Sequence, residues 1–345
     1  MDEHTALMQR ALDAARLGPE SDPNPRVGCV VTDRGGRVIG IGHHRGAGTP
    51  HAEVDALARA GEAARGGTAL VTLEPCDHTG RTGPCTDALL AAGVARVRYA
   101  VADPDPTAAG GAAHLGAAGV DVAEVADPAV RAEAEALNAT WLHARRTGRP
   151  FVTWKTATTL DGRTAAPDGT SRWITGAEAR ADVHALRSRV GAVLVGTGTA
   201  LADDPALTVR DADGHPAAHQ PWRVVAGTRA LPEDARLLDD SAPTLVVASR
   251  DPREVLDALV ERGVHHLLLE GGATLAAAFL RAGLVDEVVA YVAPTLLGAG
   301  PSAVGDLGIG TIADALHLET TDVTVLGGDV RITARPVRPH PTDRS

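Results

Sequence analysis

The sequence predicts two α/β domains in tandem. The chain has 345 residues, more than the roughly 250–300 residues that one hydrophobic core usually serves. Runs with the apolar patterns of strands and helices alternate along the chain, which is typical of layered α/β domains. The polar segment RRTGRP, at residues 145–150, interrupts this alternation. We therefore expect domains at residues 1–147 and 148–337, followed by a disordered tail at residues 338–345.

The first predicted domain begins with a helix and a strand hairpin. Residues 5–17 place apolar side chains at helical spacing, and Gly18-Pro19 ends that helix. Two β-like runs, 27–31 and 37–42, are joined by a glycine turn, which predicts a hairpin. The remaining elements are expected to be helix 51–64, strand 68–75, helix 85–93, strand 94–103, a helix and a short strand within 112–125, and helix 128–146.

The second predicted domain restarts with a strand at residues 150–162 and contains two glycine-rich strand–helix junctions. In the first, a buried strand leads into GTGT at 196–199 and then into an acidic loop with Asp203. In the second, Gly271-Gly272 separates a strand from an amphipathic helix, and such a junction either binds a phosphate or simply makes a tight turn. No complete GxGxxG is present, which argues against an ordinary Rossmann fold.

Composition and charge exclude several classes of protein. With 33 basic and 44 acidic residues the formal net charge is −11, which argues against a nucleic-acid or anionic-membrane partner. No apolar run approaches the ~18 residues of a membrane span, and the N-terminus lacks the pattern of a signal peptide. Three cysteines do not make a disulfide framework. We therefore expect a cytoplasmic protein.

His51, Cys76 and Cys85 have the types and positions of zinc ligands. His51 opens a predicted helix, Cys76 follows a strand-like run, and Cys85 begins the next helix. One imidazole and two thiolates leave the fourth tetrahedral position to water, as in catalytic zinc sites. The alternative is a buried cysteine pair beside a helix-capping histidine, but the three motifs together favour one zinc ion per chain.

Glu53 is the predicted catalytic residue. It lies two residues after the histidine ligand, where it could shuttle protons, and H-x-E followed by P-C and a second Cys is the pattern of zinc nucleobase deaminases. Zinc would lower the pKa of a bound water towards about 7. Eight residues separate Cys76 from Cys85, rather than the two of that pattern. Cys29, within the apolar run VGCVV, is predicted to be a core residue.

These motifs resemble the deaminase domain of the bifunctional deaminase/reductase family of riboflavin biosynthesis. The matching segments are HAEVDAL, VTLEPCDHTGRTGPC, ALLAAGVARV and DPNPRVGCVV, and the family has an insert of this length between its zinc cysteines. The resemblance implies a cytidine-deaminase-like three-layer α/β/α fold. It also implies zinc-dependent hydrolytic deamination of 2,5-diamino-6-(5-phosphoribosylamino)pyrimidin-4-one.

The same resemblance implies substrate-binding roles for Asn24, His44, His78 and Arg81. On the residues alone, Asn24 could merely set a turn between two prolines, and Arg81 could be an ordinary solvated cation. A cation in a net-acidic chain nevertheless suits a ribose phosphate. Gly83 stands where the family usually has a proline, a departure that bears on the substrate contacts of this loop.

The second half resembles the reductase domain of the same family, which is similar in fold to dihydrofolate reductase. The matching segments are KTATTLDGRTA, SRWITG, RSRVGAVLVGTGTALADDPALTVR, LLLEGGATLAAAFL and VDEVVAYVAPTLLG. The resemblance implies NADPH-dependent reduction of the ribosylamino group to ribitylamino, with hydride delivered to C1′. It implies substrate binding by Ser171, Arg187, Leu207, Arg210 and Glu270. It implies cofactor binding by Ala157, Trp173, Thr199, Asp203, Thr228, Gly271, Gly272, Ala273, Thr274 and Leu275.

Several of these residues have alternative interpretations. Lys155, in an otherwise apolar strand, is either a snorkelling edge lysine or a substrate ligand and proton donor. Trp173 is either a core residue or a ring that stacks on a ligand. Arg210, after the strand-like ALTV, is a better phosphate candidate than Arg187 on its helix. Gly227 replaces the acidic residue that the family usually has before the hydroxyl of Thr228.

The leading hypothesis is therefore a bifunctional enzyme with a zinc deaminase and an NADPH reductase acting on one phosphorylated pyrimidine. We expect a homo-oligomer. One alternative is a paralogue that acts on a related aminopyrimidine in specialised metabolism, an interpretation that Gly83 and Gly227 keep open. The other is a non-catalytic protein whose zinc only staples a loop, although such a site would need no proton shuttle.

Overall fold

A computed structural model describes residues 3–79, 83–210, 215–217 and 219–337. The chain divides into two compact units, residues 1–148 and 149–345. Among the described helices, none combines the length and the apolar character needed to cross a membrane.

The first unit is built on a five-stranded sheet with the order β2-β1-β3-β4-β5. β1 pairs antiparallel with β2 and β3, whereas β3, β4 and β5 run parallel. The elements are α1 (Glu3–Ala15), β1 (Gly28–Thr32), β2 (Val38–His43), α2 (Ala52–Ala60), β3 (Thr68–Val71), α3 (Cys85–Ala92), β4 (Arg96–Tyr99), α4 (Gly111–Ala117), β5 (Asp121–Glu124), α5 (Pro128–Leu137) and α6 (Ala139–Thr147).

Helices cover both faces of this sheet. Alternate side chains of β1 point to opposite faces: Val30 packs in one apolar cluster with Met8 of α1, while Cys29 packs in another with Ala52 of α2. The predicted hairpin, the three-layer α/β/α arrangement and the core position of Cys29 are confirmed.

Two predicted helices of this unit are wrong in their extent. The helix expected at 51–64 ends at Ala60, because Gly61 has a φ of +56° and a 3-10 turn follows. The helix expected at 128–146 is divided at Asn138. Its side-chain amide accepts from the Arg26 amide at 2.8 Å and donates to the Arg26 carbonyl at 2.9 Å. This pairing holds Asn138 at a φ of −116° and a ψ of +23°, outside helical geometry, and so separates α5 from α6.

The strands expected at 68–75 and 94–103 are shorter, since β3 ends at Val71 and β4 at Tyr99. The residues after them leave the sheet at the same edge, because the two strands are parallel. Cys76 and Asp103 lie on these two segments, so the early strand ends place both above the carboxyl edge of the sheet.

The second unit contains an eight-stranded sheet with the order β12-β13-β11-β6-β10-β7-β8-β9. Its strands are parallel except that β13 runs antiparallel to β11 and β12. The elements are β6 (Phe151–Thr159), α7 (Ala177–Ser188), β7 (Ala192–Gly196), α8 (Thr197–Asp203), β8 (Trp222–Ala226), β9 (Thr244–Val247), α9 (Pro252–Val260), β10 (His266–Leu269), α10 (Ala273–Arg281), β11 (Glu287–Ala293), β12 (Leu318–Leu326) and β13 (Asp329–Pro336).

Both faces of this sheet also pack into apolar clusters. Leu194 of β7 packs with Leu259 of α9 on one face, and Val193 packs with Leu207 on the other. Two local predictions are wrong. The predicted acidic loop includes Asp203, which is instead the last residue of α8. The ALTV segment before Arg210 is not a strand, because Leu207 adopts a φ of +50° and only an isolated bridge joins Arg210 to Pro216.

Candidate active sites

The three predicted zinc ligands meet at the carboxyl edge of the first sheet. His51 is the residue before α2, Cys76 follows β3, and Cys85 is the first residue of α3. Their ligand atoms all lie within 4.8 Å of one another, with His51 Nδ1 at 3.2 Å from Cys85 Sγ and 3.5 Å from Cys76 Sγ. One imidazole and two thiols in this arrangement fit a zinc ion with an open fourth position.

The two thiols share their protons unequally. A hydrogen bond from the Cys85 thiol, with a further one from His51, lowers the pKa of Cys76. The same interaction with Cys76, together with burial, raises the pKa of Cys85. One thiolate therefore forms easily, and the second proton leaves readily only when a cation takes its place.

Glu53 lies in the first turn of α2, two residues after His51, and only 3% of its surface is exposed. Burial, followed by the negative charge of Cys76, raises its pKa to about 7. A carboxyl group with this pKa can both accept and release a proton near neutrality.

The segment between the two cysteines is fastened by Asp77. Its carboxylate accepts a hydrogen bond from Thr86 Oγ1 at 2.7 Å and lies 2.6 Å from His114 Nδ1. Because Asp77 and Thr86 each follow a cysteine ligand, this contact ties the two cysteine-bearing segments together. Arg81, a predicted substrate ligand, lies outside the described residues.

A cavity of about 170 Å³ opens beside the ligands. It is lined by His51, Cys76 and three predicted substrate residues, Asn24, His44 and His78. The Nδ1 of His44 lies 3.1 Å from the Pro50 carbonyl oxygen, to which it donates, so its Nε2 is left to accept from the side-chain amide of Asn24 at 3.2 Å. Asn24 and His44 therefore hold each other in place on the pocket wall.

The same cavity has lining residues that the sequence analysis missed, among them Glu74, Asp103, Trp141 and Arg145. Burial raises the pKa of Asp103 to about 6. Glu74 accepts from the amide of Asp103 at 3.1 Å and from that of Ala112 at 3.0 Å. The position of Asp103 could have been predicted, because Asp103 follows β4 and Cys76 follows the parallel neighbouring strand β3. No such indication exists for Trp141 and Arg145.

Lys155, Arg187 and Glu270 form a largely buried ion triad in the second unit, with side-chain exposures of 17%, 16% and 8%. Arg187 donates two hydrogen bonds to Glu270, at 2.6 and 3.0 Å, and Lys155 Nζ lies 3.7 Å from the same carboxylate. Lys155 is the single lysine of the chain. It belongs to β6, in the interior of the sheet, so the edge-lysine interpretation is wrong.

Within the triad, the positive charges of Lys155 and Arg187 and the negative charge of Glu270 stabilise each other. Burial opposes ionisation of Glu270, but the charges of Arg187 and Lys155 outweigh it and lower its pKa to about 2. Burial lowers the pKa of Lys155, and the charge of Glu270 opposes this shift. Burial, with the charges of Arg187 and Arg210, also lowers the pKa of His184 on the same helix as Arg187, so Arg210 belongs to this charged neighbourhood.

The predicted cofactor residues gather where the adjacent parallel strands β10, β7 and β8 end. A Cβ on Gly272 would lie 3.4 Å from Thr199 Oγ1, and one on Gly227 only 2.6 Å from Thr197 Oγ1. Gly227 also has a φ of +136°, so this departure from the family is required by the close approach of α8. Gly271, Ala273, Thr274 and Leu275 continue the junction before and within α10, and Thr228 follows β8.

This arrangement fits the diphosphate of a dinucleotide. Gly272 precedes α10 and has no side chain to accept its first amide hydrogens, and these amides are the groups that bind phosphates at helix N-termini. The Thr199 hydroxyl lies beside them.

The remaining predicted residues surround this region less closely. Ala157 is half-buried in β6, and Leu207 is buried under the sheet. Trp173 is 70% exposed, so the core interpretation of this residue is wrong, and the Arg180 guanidinium lies 4.5 Å from its ring centroid. Its neighbour Arg172 donates to the Asp203 carbonyl at 3.4 Å, which places the loop that also carries Ser171 against the end of α8.

Comparisons with known proteins agree with both halves of this description. The family model for the cytidine and deoxycytidylate deaminase zinc-binding region matches residues 1–101. The model for the RibD C-terminal domain matches residues 150–332. The chain is 50% identical over 313 residues to the riboflavin biosynthesis protein RibD of Mycobacterium tuberculosis, covering 90% of this chain and 91% of that protein. It is 42% identical over 358 residues to RibD of Escherichia coli, covering 94% and 96%.

Solved structures show the same similarity. RibD of Acinetobacter baumannii superposes with a TM-score of 0.88 at 40% identity, covering 97% of this chain and 99% of that one. A diaminohydroxyphosphoribosylaminopyrimidine deaminase/5-amino-6-(5-phosphoribosylamino)uracil reductase of Thermotoga maritima gives a TM-score of 0.85 at 32% identity, with coverage of 97% and 99%.

The predicted fold class and the predicted cofactors, zinc and NADPH, are confirmed. The non-catalytic interpretation is wrong, and the paralogue with a different metabolite is not favoured. The chain belongs to the RibD family, whose members are bifunctional deaminase–reductases of riboflavin biosynthesis.

Proposed function

We propose that residues 1–147 deaminate 2,5-diamino-6-(5-phosphoribosylamino)pyrimidin-4-one and that residues 148–337 then reduce its ribosyl group with NADPH. The observation that carries the first activity is the cluster of His51, Cys76 and Cys85 near a buried Glu53, with His51 and Cys76 lining the adjacent cavity. The name of the Thermotoga maritima relative describes the same two reactions.

In the deaminase, His51, Cys76 and Cys85 would hold the zinc ion, which would supply a water molecule acidic enough to attack at neutral pH. Glu53 takes a proton from the attacking water and delivers it to the departing amino group, which leaves as ammonia. Its pKa of about 7 suits both transfers. Asn24, His44, His78 and Arg81 bind the pyrimidine and its ribose phosphate.

In the reductase, bound NADPH would supply the hydride for the new C–H bond at C1′. The bond from C1′ to the ring oxygen breaks, and that oxygen takes a proton, for which we propose Lys155 as the donor. Glu270 keeps the buried ammonium charged, because its carboxylate opposes the desolvation of Lys155. Ser171, Arg187, Leu207 and Arg210 hold the substrate together with Glu270.

The cofactor would bind at the ends of the adjacent strands β10, β7 and β8. We propose contacts to Ala157 in β6, to Trp173 in the loop before α7, and to the residues near the ends of β10, β7 and β8, namely Thr199, Asp203, Thr228, Gly271, Gly272, Ala273, Thr274 and Leu275. The amides at the start of α10 bind the diphosphate.

The deaminase is tested by incubating the purified protein with the aminopyrimidine ribosylamine phosphate, with and without NADPH, and following the products by mass. Without NADPH we expect one amino group to be replaced by oxygen, and with NADPH two hydrogens are then gained. Glu53→Gln should keep its zinc and lose deamination by about 10²–10⁴-fold, while Glu62→Gln, an exposed glutamate of the same unit, should behave as wild type. Normal deamination by Glu53→Gln would overturn the assignment of the proton shuttle.

We also propose that the enzyme is a homo-oligomer. β12 is an edge strand of the second sheet, and Val323 and Val325 on it are 60% and 70% exposed. Apolar side chains on an open strand edge favour pairing with another copy. Val325→Lys should lower the oligomeric state in light scattering, and an unchanged mass would contradict this surface.

We propose a cytoplasmic location. The three cysteines are free thiols, and zinc-binding thiolates persist where thiols are kept reduced. Fractionation of cells that make the protein tests this location, and recovery from a secreted fraction would contradict it.

A further inference from the structure

The wall of the deaminase cavity formed by α6 contains an unpaired buried donor. Trp141 is only 7% exposed and lines the cavity. Its indole Nε1 has no hydrogen-bond partner among the described residues. An indole N–H can only donate, and buried donors are nearly always paired with protein, water or ligand. The position therefore calls for an acceptor inside the cavity.

Arg145 lies on the same face of α6, one turn later, and also lines the cavity. Its guanidinium is 5.5 Å from the centroid of the Trp141 ring, which holds it across that side chain. Its side chain is 38% exposed, and its contact with the Asp105 carboxylate is a loose 3.4 Å. The other oxygen of Asp105 is already taken by the amide and hydroxyl of Thr107, at 3.0 and 2.7 Å.

The guanidinium therefore has several N–H donors left to face a ligand. A third polar atom, His78 Nδ1, is buried at the same cavity and is likewise unpaired among the described residues. The Arg145 guanidinium and the Trp141 N–H are donors on the wall of one cavity, and with the His78 nitrogen they suit the oxygens of a phosphate monoester. His51 and Cys76, two of the three zinc ligands, also line this cavity, so one bound molecule can reach both sets.

We propose that Arg145 and Trp141 form the subsite for the phosphate of the ribosyl phosphate, and that they make the deaminase select phosphorylated over unphosphorylated aminopyrimidines. This proposal rests on the proposed deaminase activity. Arg145 supplies charge and a planar fork of donors to the phosphate, and Trp141 positions that guanidinium while donating its own N–H.

The test compares the phosphorylated aminopyrimidine with its dephosphorylated riboside. For Arg145→Met, which keeps an unbranched chain over Trp141, we expect kcat/KM for the phosphorylated substrate to fall about 10- to 100-fold, mostly through KM. Arg145→Met should deaminate the riboside with the same kcat/KM as the wild-type enzyme. Trp141→Phe removes one N–H and should raise KM about 2- to 10-fold.

Arg146→Met is the matched control, because Arg146 is the next residue and points to Glu135, 3.1 Å away, rather than into the cavity. It should retain wild-type constants for both substrates. Zinc content and circular dichroism check that each variant is folded. Equal losses on both substrates, or an unchanged KM for Arg145→Met, would overturn the proposal.

A binding measurement separates failure of this inference from failure of the proposed activity. If wild type deaminates neither compound, the proposed function fails. Calorimetric titration of the zinc-loaded protein with ribose 5-phosphate still tests the subsite. Affinity that falls at least about tenfold in Arg145→Met supports the proposed subsite. Equal affinity in wild type and Arg145→Met contradicts it.

Discussion

The two candidate active sites are assembled in opposite ways. The first brings together His51, Cys76 and Cys85, which lie at the ends of neighbouring elements within one short stretch of chain. The second brings together Lys155, Arg187 and Glu270, from a central strand, a helix and the end of another strand. The first site consists of groups that donate to a metal ion. In the second site, the charges of the protein's own side chains balance one another.

This difference predicts how each site responds to change. Two neighbouring thiolates repel each other, so the first site depends on a cation from solution. The carboxylate of Glu270 is stabilised by two cations from the protein itself. Removal of metal should therefore silence the deaminase alone, while removal of one protein charge should destabilise the reductase unit.

The largest expected effect is that of Cys85→Ser on the first site. Loss of one thiolate leaves two protein ligands, so we expect the zinc to be lost and deamination to fall by more than about 10³-fold. Reduction of the deaminated intermediate should continue at the wild-type rate. Metal analysis and separate assays of the two steps measure this contrast. The control is Cys29→Ser, which alters the core cysteine on β1 and should keep its zinc. Zinc retained by Cys85→Ser would contradict the prediction.

A second change, Glu270→Gln, probes the balanced triad. It leaves Lys155 and Arg187 buried without a counter-charge, and we expect the reductase unit to lose about 3 kcal/mol of stability. Calorimetric unfolding measures this loss, with Glu261→Gln, an exposed glutamate, as the control.

The same variant tests the pH dependence of stability. Because the folded-state pKa of Glu270 is about 2, against an ordinary 4.5, its carboxylate stabilises the fold fully above about pH 4.5, and that contribution is lost as pH falls towards 2. The stability difference between wild type and Glu270→Gln should therefore shrink over this interval. A difference that stays constant down to about pH 2 would show that Glu270 is not held ionised by its partners.

A smaller effect is expected from Asp77→Ala. The variant loses the hydrogen bond from Thr86 and the contact to His114 that tie the two cysteine segments together. We expect zinc affinity to fall about tenfold, as for other residues that orient metal ligands. Competition with a chelator measures this affinity, and Asp87→Asn, in the first turn of α3, should leave it unchanged.

The smallest effect concerns the single lysine. Protein labelled at lysine gives one side-chain NMR signal from Lys155, and its pKa should lie below the ordinary 10.5 because the group is buried. In Glu270→Gln the pKa should fall further, since the carboxylate is what opposes desolvation. An unchanged pKa in that variant would mean that Lys155 does not sense Glu270.

The contrast between the sites also explains what could be predicted from sequence. The zinc ligands were predictable because cysteine and histidine at helix starts have few other uses in such a pattern. Periodicity gave the layers of both sheets. It did not give the break at Asn138, because that break depends on a pairing with Arg26, a residue far away in the chain.

The charged triad could be foreseen only as separate residues. Nothing in the spacing of Lys155, Arg187 and Glu270 shows that they touch, since the contact arises from the crossover of β10 to a place between β6 and β7. Trp141 and Arg145 were missed for a similar reason: nothing in the sequence shows that α6, which begins after the break at Asn138, lines the cavity.

The central claim is that the chain carries two chemically independent active sites. The most direct test measures both half-reactions in Glu53→Gln and Lys155→Met, using the diaminopyrimidine for the first step and the deaminated intermediate with NADPH for the second. We predict that Glu53→Gln loses only deamination and that Lys155→Met loses only reduction. Loss of both steps in either variant, or of neither, would contradict the account.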